Sequence, residues 1–194
     1  MNPKYSFHLL VCTALFAVSV GVGGCQMHDS GVTVDTLIAD AGPTTESWDP
    51  VMHISENGLP RLVLRAGYMA RYETPDSTYL VLSAVEDGKD RVRVDIFDTE
   101  GDSSATVFSN RILYFERARR FVARGNVIVN AKDDRHLFAE HLDWSQKTAR
   151  VSTPGYVTLK TPTQVLNGFE FDADEQLYDF RMKRVSGTLE SENE

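Results

Sequence analysis

The chain has 194 residues and a formal net charge of −8, with 20 Lys and Arg against 28 Asp and Glu. That acidic balance excludes a general nucleic-acid binder, whose affinity rests on basic patches that neutralise phosphates. Two cysteines, Cys12 and Cys25, cannot build the disulfide framework of a small secreted scaffold, so an apolar core must hold the fold.

Residues 1–24 read as an export signal. Lys4 is their one charge, and residues 9–22 form an apolar stretch broken only by Thr13, Ser19 and Gly21. Spanning a bilayer core takes about 20 helical residues, so this stretch is too short for a membrane helix and fits a cleaved signal peptide. Small residues Val22, Gly23 and Gly24 lead directly to Cys25. This order resembles a lipobox, in which the cysteine is lipidated and becomes the new N-terminus. A simple secretory signal, or a core cysteine after a glycine-rich turn, is the plainer alternative. Cleavage before Cys25 removes Cys12 and Lys4, leaving 19 basic residues against 28 acidic ones and no possible intramolecular disulfide.

Residues 25–57 then read as a flexible tether carrying Gly31, Gly42, Pro43 and Pro50 without sustained periodicity. From there alternation takes over. In residues 91–97, Val92, Val94 and Ile96 share one face and charges fill the other, which marks a half-buried strand. Residues 79–82, 126–129 and 156–159 read likewise, and turn chemistry separates them at 86–88, 99–102, 132–134, 153–155 and 167–168. Short strands and frequent turns predict an all-β sandwich, barrel or roll over 58–190, with a polar tail at 191–194.

Residues 112–124 space Ile112, Phe115, Ala118 and Phe121 like a helix, but an internal repeat overrules this. Shifted by 30 residues, Ile112 falls on Leu142, Phe121 on Val151, and Gly125-Asn126-Val127 on Gly155-Tyr156-Val157. The second copy contains Thr153-Pro154-Gly155, which breaks a helix, so both copies are expected to be strand pairs. A weaker third copy covers 168–185. Each unit must stack on the next to bury its apolar face.

Catalytic chemistry is poorly represented. Of the five histidines only His136 and His141 lie in predicted strands, and their spacing of five places them on opposite faces, unsuited to a shared metal. No nucleophile elbow or phosphate-cradling glycine loop occurs. The acidic cluster Asp95, Asp98, Glu100 and Asp102 around Gly101 reads as a hairpin turn rather than a calcium loop, and Asp172, Asp174 and Glu175 read the same way. Nothing selects a carboxylate pair for glycoside hydrolysis. Binding is expected rather than catalysis, and no cofactor is implied.

Several motifs in fixed order resemble the LptC family, the periplasmic component of lipopolysaccharide export. They are Arg61-Leu62-Val63-Leu64 before Ala70-Arg71-Tyr72; Val94-Asp95-Ile96-Phe97-Asp98 with Gly101; residues 109–114; Ala123-Arg124-Gly125-Asn126-Val127-Ile128-Val129; Leu137 with Ala139-Glu140 and Leu142; and Asn167-Gly168-Phe169. Together they cover about residues 60–190. The resemblance implies a twisted or V-shaped, OstA-like β-jellyroll whose interior is an apolar groove for lipopolysaccharide acyl chains. Phe108, Ile112, Phe121, Val127, Leu142, Val157 and Phe169 are the candidate groove residues, since they repeat on one strand face. It also implies partners joined edge to edge: LptF and LptG of the LptB-driven ABC transporter near residues 61–72, and an LptA-type bridge jellyroll near 177–189. One departure is the anchor. Better-known members keep a transmembrane helix, whereas Cys25 here implies a lipid anchor, expected on the periplasmic side of the inner membrane. Gln26 leaves the outer membrane open. A rival reading is a lipoprotein scaffold for outer-membrane assembly that binds protein and no glycolipid.

Overall fold

Alternating side chains from residue 45 onward give thirteen β-strands, all paired antiparallel in one sheet. The computed structural model describes residues 42–85 and 91–189, which lie within one compact unit and contain no helix. Five short strands come first: β1 (Thr45–Trp48), β2 (Val51–Glu56), β3 (Leu59–Arg65), β4 (Tyr68–Glu73) and β5 (Thr78–Ser83). After them come β6 (Val92–Phe97), β7 (Ser103–Ser109) and β8 (Arg111–Phe115). Five long strands complete the sheet: β9 (Arg120–Ala131), β10 (Arg135–Ser145), β11 (Arg150–Thr161), β12 (Gln164–Asp174) and β13 (Phe180–Leu189). This is the all-β class that the turn spacing predicts, consistent with the jellyroll-like fold that the resemblance implies, and the sheet does not close into a barrel.

A line of bulges folds the sheet. On β9, residues 120–124 pair with β8, whereas 128–131 pair with β7 on the same side. Between them Gly125 and Asn126 take φ of 76° and 52°. Glycine suits that left-handed turn, and a Cβ there would also lie 3.0 Å from the Asn110 Cβ. Register then shifts across β10 between Ala139 and Asp143, across β11 between Thr153 and Tyr156, and across β12 between Asn167 and Asp172. Each bulge bends its strand and adds twist, so irregularities in line on four neighbouring strands bend the whole sheet. One arm runs β1-β4-β5-β8 to the first half of β9; the other runs β2-β3-β6-β7 to its second half.

The arms enclose one core. Leu62, Leu64, Val94 and Ile96 from the second arm join Leu80, Leu82, Ile112 and Phe121 from the first in a single buried cluster. Burying one such side chain contributes about 1.5–3 kcal/mol, so this shared interior is the main force holding the arms together. A second, smaller cluster of Tyr79, Val81, Leu113 and Val122 lies on the opposite face of the first arm, with Tyr72 stacked on Tyr79 at 5.3 Å.

The internal repeat is present as strand pairs β8–β9, β10–β11 and β12–β13. Arg119 and Ala149, 30 residues apart, both turn with φ near 50°, at 49° and 52°. The Gln146 amide donates to the Arg119 carbonyl at 3.0 Å, stacking one turn on the next. Residues 112–124 are strand, turn and strand, as the repeat requires.

The tether boundary needs correction. Residues 45–56 are not spacer but β1 and β2, so the folded domain begins at Thr45 rather than at 58. Met52 and Ile54 pack against the core from β2 while Val51 and His53 face out. Their alternation covers too few residues, among too many polar neighbours, to register as periodic. The signal segment, Cys25, the tether up to residue 41 and the tail at 191–194 lie outside the described residues.

On the outer face of the second arm Asp95 organises an ion network. Arg65 Nη1 approaches one carboxylate oxygen at 2.5 Å, while Arg93 Nε and Thr106 Oγ1 donate to the other at 2.9 and 3.1 Å. Desolvation pushes the Asp95 carboxyl up, but hydrogen bonds from Arg93, Thr106 and Arg65 outweigh it and hold the group below the usual carboxylate range. A pKa lower in the folded state means the network stabilises the fold above the unfolded pKa of 3.8 and ceases to as pH falls through the folded value. Asp95→Asn is therefore expected to destabilise the protein at pH 7 and to shrink the stability lost between pH 7 and pH 3. Urea titrations at both pH values check this; equal acid losses in both proteins would contradict it.

Candidate functional site

The interior between the arms is where the candidate groove residues converge, with two exceptions. Ile112, Phe121, Val127, Leu142 and Val157 all belong to the buried cluster, each at most 3% exposed. Phe108 and Phe169 do not. Phe108 lies on the outer face under the Arg93 guanidinium, 5.7 Å from its ring centre. Phe169 lies outside between Tyr156 at 5.3 Å and Arg184 at 5.2 Å.

Both corrections have a physical cause. In β7, Val107 and Phe108 are adjacent apolar residues, and only one can point inward. Pairing of Val107 with Val129 gives the inside to the valine. In β12 the bulge resets alternation, so Leu166 and Phe171 face the core while Phe169 does not. The same effect moves the histidines. A bulge between Ala139 and His141 lets both Leu137 and Leu142 point inward, so His136 and His141 both point outward, not to opposite faces. They remain apart in chemistry: His136 contacts Asn130 and Asp134, and His141 Nε2 lies 3.3 Å from Asp143.

Little space remains inside. The apolar cavity between the arms holds about 20 Å³, enough for about one water and far too little for an acyl chain. Its walls include Val94, Ile96 and Val107 from one arm and Ile112, Leu142 and Trp144 from the other, plus one carboxylate, Glu175. A larger hollow of about 410 Å³ lies outside along the bulge line, against Phe138, Glu140, His141 and Tyr156.

Opposite the bulge line, where the arms would part, polar contacts cross between them. Arg61 on β3, which also donates to the Phe97 carbonyl within its own arm, donates through Nη2 to Glu175 Oε2 of the first arm at 3.2 Å. Within the first arm, Trp144 Nε1 holds the other oxygen, donating to Glu175 Oε1 at 2.9 Å. Arg119 reaches Glu56 at 3.6 Å. Arg135 Nη1 donates to the Leu177 carbonyl at 3.0 Å, and its guanidinium lies 4.2 Å from the Tyr178 ring. Leu177 itself is fully buried in the core. In the sequence Trp144 is one of many aromatics spread over the strands, and Glu175 reads only as turn chemistry. Leu177 carries no signal, because it sits in a turn where periodicity is lost.

The acidic turn at 98–102 resolves as hairpin chemistry. Asp98 Oδ1 accepts the Glu100 and Asp102 amides at 3.1 and 2.9 Å, and Lys132 binds the other oxygen at 3.2 Å. The backbone amide of Asp102, aided by Lys132, holds this carboxyl below its ordinary value.

The sheet edges are the remaining candidate surface. Residues 61–72 are not an edge: β3 lies between β2 and β6, and β4 between β1 and β5. Among the described residues the strands paired on one side only are β1, β2 and β13, the last covering most of 177–189. Trp48, Val51 and Val185 on these strands are 64%, 54% and 52% exposed. No family model matches this chain, and no curated protein matches it significantly.

Proposed function

We propose that the protein carries lipopolysaccharide acyl chains between its two arms, passing the lipid from an inner-membrane ABC transporter of the LptB, LptF and LptG type to an LptA-type periplasmic bridge. The observation that supports it is the shared interior: both arms line one apolar space, and beyond β9 no strand ladder joins them. They can part about the bulge line by giving up apolar packing and the side-chain contacts at the mouth, with every ladder intact. An acyl chain of twelve methylenes entering that space replaces the lost packing, and its burial is worth about 10 kcal/mol at ~0.8 per CH₂. Lipid with several such chains cannot cross water unshielded, which is the need such an interior meets. The free edges β1, β2 and β13 are the places where neighbouring jellyrolls would add strands. In this reading a lipid on Cys25 tethers the chain to the periplasmic face of the inner membrane.

The second reading is a lipoprotein scaffold that binds protein through the same edges and never opens. Its supporting observation is the closed interior of about 20 Å³. In-cell photo-crosslinking separates the two. A photoreactive residue at Ile112, Val127 or Val157 is expected to give lipopolysaccharide adducts, and one at Arg93 or Phe108 on the outer face is not. Adducts absent from all three inner sites, in protein that is folded and functional, would leave the scaffold reading standing.

A further inference from the structure

We infer that Arg61 is an anion subsite at the mouth of the interior, held in the closed state by Glu175, and that the turn carrying Glu175 is a plug displaced by an amphiphile with a phosphate head. This rests on the interior being an acyl site, and it goes further by naming the group that admits the ligand.

The turn between β12 and β13 is a self-contained unit. The Leu177 amide donates to the Asp174 carbonyl at 3.2 Å, the Asp174 amide to the Asp179 carbonyl at 3.1 Å, and the Tyr178 amide to Asp174 Oδ1 at 2.8 Å. It grows from strand ends paired in the first arm, Arg150 with Asp174 and Ala173 with Phe180. Its contacts to the second arm come from side chains: Arg61, Arg135 and Asp133, the last accepting from the Tyr178 hydroxyl. The turn can therefore swing away without breaking a ladder. When it does, Leu177 leaves an apolar space and Glu175 leaves a guanidinium.

The choice of residues here needs explaining. An apolar wall can be completed by another leucine, and a buried ion pair is often no more stabilising than the apolar residues it displaces. The Arg61 and Glu175 side chains are only 15% and 10% exposed, yet Glu175 lines the apolar cavity. Once the turn departs, Arg61 is left with the Phe97 carbonyl and a distant, exposed Glu56 at 4.0 Å. A largely desolvated cation that loses its partner favours another anion in its place. At the other side of the same turn, Arg135, which holds the Leu177 carbonyl, has a buried Nε–H without a partner. Guanidinium forks bind phosphate in two-point geometry, so a phosphate can replace the carboxylate at no loss of charge pairing. An alkyl phosphate refills both vacated places at once: its head pairs with Arg61 and its tail takes the space of Leu177. Inorganic phosphate refills only one.

Trp144 provides the readout, because it lines the cavity and touches Glu175, and Trp48 is the only other tryptophan. In a Trp48→Phe background, dodecyl phosphate brominated near its chain end is expected to quench Trp144, and brominated dodecanol to do so more weakly. Glu175→Gln is expected to tighten alkyl phosphate binding about tenfold by weakening the plug's charged contact. Arg61→Gln is expected to abolish the preference for phosphate over alcohol. Leu177→Ala, which loosens the plug without touching Arg61, should tighten both ligands alike, and hydrogen exchange at the residue 177 amide should quicken in it and in Glu175→Gln. Quenching of equal affinity in every variant would overturn the plug while leaving the acyl interior intact. No quenching of Trp144 in any folded variant would overturn both. Inorganic phosphate that shifts the melting of Glu175→Gln as much as the alkyl phosphate does would make this a free-phosphate site and overturn the lipid assignment.

Discussion

Phe121→Ala is expected to remove about 3–5 kcal/mol of stability, the range for deleting a buried aromatic ring whose surroundings cannot collapse. Phe121 is 3% exposed and sits in register between Tyr114 on β8 and Trp144 on β10. Its ring stacks on Tyr114 at 4.1 Å and 9°, and on Trp144 at 4.8 Å and 24°. Three strands thus hold one aromatic ladder on the inner face of the first arm. Truncation leaves two rings anchored to separate strands that cannot close the gap, because their spacing is set by the sheet. It also enlarges the cavity that Phe121 lines. A domain of ordinary stability has about 5–15 kcal/mol in total, so the variant should be marginal. Urea unfolding measures the loss. Phe108→Ala, on the half-buried outer face, should cost about 1 kcal/mol, as is typical of point substitutions. Equal losses at the two positions would mean that the inner and outer faces are wrongly assigned.

Gly168→Val is expected to cost about 1–3 kcal/mol by overpacking, with the damage confined to β13. A Cβ at Gly168 would lie 2.7 Å from the Lys183 carbonyl oxygen and 2.5 Å from the Met182 sulfur. Methionine can move, but the carbonyl belongs to the strand paired beside it. β12 and β13 must therefore separate where register already shifts around Phe169. Since β13 pairs only with β12, it has no second neighbour to hold it. Hydrogen exchange should quicken at residues 183–187 and stay unchanged in β9 and β10. If β13 is also the docking edge for a bridge jellyroll, the same substitution should weaken that contact. Uniform loss of protection across the sheet would instead show that β13 is integral to the core.

Much of this molecule was legible in its residues. Alternation at Val92, Val94 and Ile96 placed a strand and its buried face, because a strand's period of two leaves those side chains no other common direction. The 30-residue repeat turned an ambiguous stretch at 112–124 into a strand pair, since a proline and glycine in one copy constrain the other. Five of the seven candidate groove residues lie inside for the same reason.

The rest depended on where regularity breaks. A bulge inserts one residue and reverses the alternation beyond it, so Phe169 and His141 could not be assigned a face without knowing which residues the bulge includes. Phe108 was undecidable beside Val107 until β7 was paired with β9. β1 and β2 are too short to show a period and become strands only by pairing with β4 and β3. Arg61 and Glu175 are 114 positions apart and meet because the sheet folds back across its bulge line. Local sequence determined which of the regularly alternating segments are strands and which of their faces are apolar, since both follow from short-range backbone geometry. Only the tertiary structure decided which of those faces meet, which edges stay free and what closes the mouth, because these are set by register and bending across the whole sheet.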